Sequence, residues 1–92
     1  NHITINTNLP DNYILLVKSN LSKFSEQMSV KNGSVIINDA KNISKITLGS
    51  AFITDPTVAK QLGGEKAKNL IGKFVKYNPI TGRKQIDAVF SF

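Results

Sequence analysis

Tyr13-Ile14-Leu15-Leu16-Val17-Lys18-Ser19-Asn20-Leu21-Ser22-Lys23-Phe24-Ser25-Glu26-Gln27-Met28 is the stretch whose reading decides the fold. Tyr13 to Val17 is the longest apolar run in the chain, and a short run of this kind suits a strand or a helix face equally. Beyond it, Ile14, Val17, Leu21, Phe24 and Met28 recur at steps of three and four. That spacing puts all five on one stripe of a helix, with Lys18, Asn20, Ser22, Lys23, Ser25 and Glu26 around the rest. The preceding residues suit a helix start: Asn8 to cap free amides, Pro10 for the first turn, and Asp11 to meet the positive end of the dipole. Because the helical spacing continues to Met28, the expectation is an amphipathic helix.

Working outward, His2 to Thr7 alternates, with Ile3 and Ile5 on one side, as a half-buried strand does. Asn32-Gly33 lies between Met28–Lys31 and Ser34–Asn38, and these two residues tolerate the positive φ that a type I′ hairpin turn demands. Asp39 is placed to cap a short helix through Ile43 and Ile46, closed by Gly49, while the β-branched residues of Ile43–Thr47 keep an extended alternative open. Ala51–Thr54 reads as a brief strand. Asp55-Pro56 opens a further helix that Gly63-Gly64 ends. Ala67, Leu70, Ile71 and Phe74 continue at helical spacing, interrupted by Gly72, with Lys73–Tyr77 open to a strand reading. Asn78–Gly82 is turn chemistry, and Gln85–Phe92 alternates with Ile86, Ala88, Phe90 and Phe92 on one face, so the chain closes with a hairpin. These readings predict one α+β domain over residues 1–92: a small, mainly antiparallel sheet with two to four helices packed on one face.

A chain of 92 residues with 40% hydrophobic and 20% charged side chains has the composition of a folded domain with one modest core. It holds no cysteine, so disulfides and thiolate chemistry are excluded. No apolar run approaches the roughly 20 residues of a membrane-spanning helix. The chain opens with Asn1 rather than Met, so a fragment or processed product of a longer chain is expected, and localisation stays open. Asn-x-Ser triplets begin at Asn20, Asn32 and Asn42, and chance in an Asn- and Ser-rich chain accounts for them.

Charge supplies the functional expectation. The formal net charge is +6, and seven of the twelve basic residues fall between Lys60 and Lys84, where Glu65 is the only acid. Such concentration predicts an electrostatic footprint for a polyanion, most simply nucleic acid. Lys66, Lys68, Lys73, Lys76, Arg83 and Lys84 would contact phosphates, and Tyr77 or Phe74 would stack on a base. The alternative is a protein–protein module or structural subunit, in which the apolar, alternating edge of Gln85–Phe92 accepts a partner strand or a second copy.

Thr57-Val58-Ala59-Lys60-Gln61-Leu62-Gly63 resembles the first helix and turn of helix-turn-helix proteins, with the following hairpin as a wing. That resemblance implies a second helix presenting Lys66, Lys68 and Asn69 to a groove. Asp39–Ile43 through Leu48-Gly49 is similar to the short second helix of histidine-containing phosphocarrier proteins. That family carries its phosphoryl group in a His-x-Arg-Pro segment, and Asn6-Thr7-Asn8-Leu9-Pro10 supplies neither His nor Arg. A nucleotide-binding P-loop ending at Gly72-Lys73 would need glycine where Ala67 stands, so no cofactor is expected. The single histidine, His2, and six scattered carboxylates provide no triad, metal-ligand set or acid–base pair, and the expectation is a non-enzyme.

Overall fold

The computed structural model describes all 92 residues, and strands account for 42% of them against 7% in helix. Eight strands and one helix follow in the order β1 (His2–Asn6), β2 (Ile14–Ser19), β3 (Glu26–Ser29), β4 (Ser34–Asn38), β5 (Lys45–Ser50), α1 (Pro56–Gln61), β6 (Val75–Asn78), β7 (Arg83–Ile86) and β8 (Ala88–Ser91). The central sheet is antiparallel with the order β3-β2-β5-β8, and β1-β4 and β6-β7 form separate antiparallel pairs. The expected α+β class with two to four helices is therefore corrected to a mainly β fold carrying one short helix.

The correction turns on Tyr13–Met28. Tyr13, Leu15 and Val17 are buried while Ile14 and Leu16 are half-buried and Lys18 exposed, so the true period is two. The helical stripe dissolves after Val17, since Leu21 is 59% exposed and Phe24 80% exposed. Local hydrogen bonds explain the break. The Ser19 hydroxyl accepts from the Leu21 N–H, and the Ser22 hydroxyl bonds both the N–H and the carbonyl of Phe24. The Asn20 carboxamide oxygen accepts from the Ser44 and Lys45 N–H groups across the fold. Short polar side chains that satisfy backbone groups this way compete with helix and favour a turn. Asp11, read as a helix-start charge, instead accepts the Asn32 N–H at 2.8 Å and fastens the neighbouring turn.

Two further expected helices are also replaced. Over Asp39–Gly49 the extended alternative wins: Ile46 and Leu48 of β5 point inward, opposite Phe90 and Ala88 of β8. Residues 65–74 form turns, with Ala67 at φ +52° and Gly72 at +146°, so the second helix implied by the helix-turn-helix resemblance is absent. The strand at 45–50 likewise removes the phosphocarrier-like helix.

Several local readings hold. Asn32 and Gly33 adopt φ +50° and +77°, and Lys31 and Ser34 exchange two 3.0 Å hydrogen bonds around them, as a type I′ turn requires, but the expected hairpin ends at that single bridge, because β3 pairs with β2 and β4 with β1. The Asp55 carboxylate accepts from the Thr57 and Val58 N–H groups at 2.8 and 3.3 Å, with Pro56 in the first turn, and glycines at positive φ follow α1.

One cluster of 13 buried hydrophobic residues runs through the fold. Leu15 and Val17, Ile46 and Leu48, and Ala88 come from the central sheet, Val35 from β4, Val58 and Leu62 from α1 and the residue after it, and Ala67 and Leu70 from the turns. The path from Arg83 to Ser91 bends at Asp87 and changes partner there, pairing with β6 before it and β5 after it. Both ends of the chain are pinned to one segment: Asn1 accepts from the Ala40 N–H, and the Phe92 N–H donates to Ser44.

A candidate groove between two open edges

β8 is the last strand of the central sheet, and β1 has a partner only in β4. On β8, the Phe92 N–H continues the pairing with β5, so Ala88, Phe90 and Phe92 turn their backbone groups inward along that ladder. The intervening Val89 and Ser91 present theirs to the outer edge, where the last bond is Asp87 N–H to Phe74. On β1, the Thr7 N–H and the Asn1 carbonyl face β4, which leaves His2, Thr4 and Asn6 on the other edge.

Between these edges the core is open to the surface. A hollow of about 360 Å³ lies between Ile5–Leu9 and Ile71–Val75, with Leu15, Leu48, Ala88 and Phe90 as its floor. A second, of about 220 Å³, continues along Ile3–Asn6, Ile46, Phe90 and Phe92. Ten of the fifteen residues lining the first and five of the seven lining the second are hydrophobic, and neither hollow contains an Asp or Glu. Ile71, 74% exposed, forms one lip. A groove of this kind, apolar in its floor and bordered by unbonded backbone, suits an extended polypeptide.

The basic residues do not form one patch. Lys84 and Tyr77 are directly paired across β6-β7 and share a face with Val75 and Ile86, whereas Lys76 and Arg83 lie on the opposite face. Lys66 joins the first group: its carbonyl accepts the Lys84 N–H at 2.9 Å and its side chain runs beside Gly82. Lys68 is exposed near the Gly63 turn, and Lys73 sits 5.1 Å from the centre of the Phe74 ring on the groove rim. Phe74 packs edge-on to Phe90 at 5.3 Å, so its ring is committed to the groove wall, while Tyr77 is 63% exposed. Arg83 turns away from solvent, its guanidinium 4.0 Å over the Phe52 ring and its Nε and Nη1 buried without hydrogen-bond partners.

Beneath the hairpin, the Ser50 hydroxyl lies 2.7 Å from the Tyr13 hydroxyl and accepts the Ile86 N–H at 2.7 Å. Burial pushes the Tyr13 hydroxyl above its ordinary pKa of 10.0, against the opposing pull of the Ser50 hydrogen bond and the Arg83 charge.

The edge strand Ala88–Ser91 lies within the alternating stretch Gln85–Phe92 of the sequence, which the structure breaks at Asp87 into strands of two different sheets. The groove was not legible there, because β1 and residues 71–75 meet only in three dimensions. No group of three or more His, Cys, Asp or Glu side chains gathers at a common point, and no helix is long and apolar enough to cross a membrane. Comparison with family models, curated proteins and solved structures returned no match.

Proposed function

We propose that the chain is a non-enzymatic binding module that takes up an extended segment of another protein by strand addition along the outer edge of β8. The observation that carries this reading is the unbonded backbone of Val89 and Ser91 beside an apolar groove. Edges of this kind are usually blunted or covered, because they template pairing with another chain. Backbone bonds would supply affinity, and alternate side chains entering the groove would supply selectivity. The test is an amide-resolved NMR titration with a capped peptide of alternating valine and threonine. The Val89 and Ser91 amides are expected to shift and gain exchange protection, and Val89→Pro, which removes an outward N–H that makes no bond to β5, should abolish the response. Absence of any response to extended peptides would overturn the reading.

A second reading, a polyanion surface, is supported by Lys66 and Lys84, held together by a backbone hydrogen bond with exposed Tyr77 beside Lys84. Lys68, Lys73 and Lys76 would add charge at longer range, and Arg83 would not. Binding to duplex DNA would weaken with salt on a log–log slope of about 0.9 per phosphate neutralised. An affinity indifferent to salt removes this reading.

A further inference from the structure

We infer that the loop between β2 and β3 is a docking tip for an anionic lipid surface: Leu21 and Phe24 enter the bilayer interface while Lys18, Lys23 and Lys45 meet the headgroups. Residues 20–25 are all exposed, and residues 20–24 line none of the five main hollows of the fold, so the tip is convex. The backbone beneath it is fastened. The Ser22 N–H donates to the Ser19 carbonyl, the Ser22 hydroxyl clasps Phe24, and the N–H and carboxamide of Asn20 tie the loop to Ser44 and Lys45. Leu21 and Phe24 are therefore held in water by a loop whose own polar groups are largely satisfied, which lowers the cost of bringing that loop against hydrocarbon.

The charge around the tip has one sign. Exposed Lys23 stands between the two apolar residues. Lys18 is opposite Thr47, so Lys18 and Lys45 share the outer face of the central sheet, at the end that carries the loop. Glu26 is paired with inward-facing Val17 and lies on the other face, and Asp39 ends the β1–β4 pair beside Asn1, in the other layer. Asp87 shares the outer face but sits at its far end, next to the Ala88–Leu48 pair. Hydrocarbon accepts Leu and Phe without a shaped pocket, and phosphatidylserine headgroups supply the countercharge. A protein partner would need a cavity to receive the tip, and a nucleic acid would leave Leu21 without a complementary surface.

The chain has no tryptophan, so Phe24→Trp places one fluorescent reporter at the tip. The experiment compares vesicles of phosphatidylcholine alone with vesicles in which about one third of the lipid is phosphatidylserine, at low and high salt. Emission of the Phe24→Trp variant is expected to shift to the blue and become quenchable by brominated lipid with the anionic vesicles only, and the shift should shrink as salt rises. In cosedimentation, Leu21→Ser with Phe24→Ser, and separately Lys18→Glu with Lys45→Glu, should each weaken partition about tenfold or more. Ile80→Ser, at the most exposed of the large apolar side chains, should leave partition unchanged. No partition onto anionic vesicles would overturn the inference. So would partition without a change in emission, or partition that the tip variants leave intact, either of which would show adsorption through Lys60–Lys84 instead. An equal loss from Ile80→Ser would also overturn the assignment to this loop.

Discussion

The Tyr13 hydroxyl and the Ser50 hydroxyl lie 2.7 Å apart, and the same Ser50 oxygen accepts the Ile86 N–H, so one side chain ties the start of β2 and the end of β5 to β7. Ser50→Ala would strand both the Ile86 N–H and the hydroxyl of a tyrosine that is 1% exposed. A buried polar group left without a partner costs about 1–3 kcal/mol, so the variant should lose several kcal/mol in urea unfolding. Tyr13→Phe leaves Ser50 free to serve Ile86 and should cost less, about 1 kcal/mol. The order of these two losses checks which residue is the hub.

Alkaline pH probes the same contact. Burial raises the Tyr13 pKa above its value of 10.0 in the unfolded chain, so the folded state keeps a proton the unfolded state releases. Stability from this group is complete below about pH 10 and declines as pH rises past that point toward the higher folded value. Unfolding free energies between about pH 9 and 11 should fall less steeply in Tyr13→Phe than in the parent chain.

Gly33 has a conformational and a steric reason to be glycine. Its φ is +77°, and a Cβ there would sit 3.2 Å from the Thr7 carbonyl oxygen. Gly33→Ala should cost about 1–2 kcal/mol from the left-handed backbone, with a further loss from displacement of β1. Thermal unfolding measures the total, and loss of protection at the Thr7 amide, which donates to Gly33 at 2.6 Å, localises it.

Arg83 should be replaceable. Two of its guanidinium nitrogens are buried without acceptors, and this offsets the attraction to the Phe52 ring. A desolvated cation–π contact contributes about 2 kcal/mol, and each unsatisfied buried donor costs about 1–3 kcal/mol. Arg83→Met keeps the apolar stem over Phe52, and its urea midpoint should equal or exceed that of the parent. A midpoint lower by more than about 2 kcal/mol equivalent would show the guanidinium to be stabilising where it stands.

What could be read from the residues was local chemistry. Asn32-Gly33, Asp55-Pro56 and the alternation of Ile3 with Ile5 each need only their neighbours to act, and each behaves as its residues require. Tyr13–Val17 resisted because five apolar residues carry no period, and Leu21 and Phe24 supplied a false one from exposed turn positions. The decisive signal lay in Ser19, Asn20 and Ser22, whose side chains hold the turn, but Asn20 finds its partners 24 and 25 residues away. The lysines were similarly ambiguous, since nearness in sequence puts Lys76 and Lys84 on opposite faces of one hairpin.

Because Asn1 rests on Ala40 and Phe92 on Ser44, the two ends emerge side by side on the surface. A short glycine-rich bridge between them should permit circular permutation, with new ends cut in the exposed Leu21–Phe24 loop. The same geometry lets the whole unit be spliced into a surface loop of a host protein, entering and leaving through a single narrow doorway.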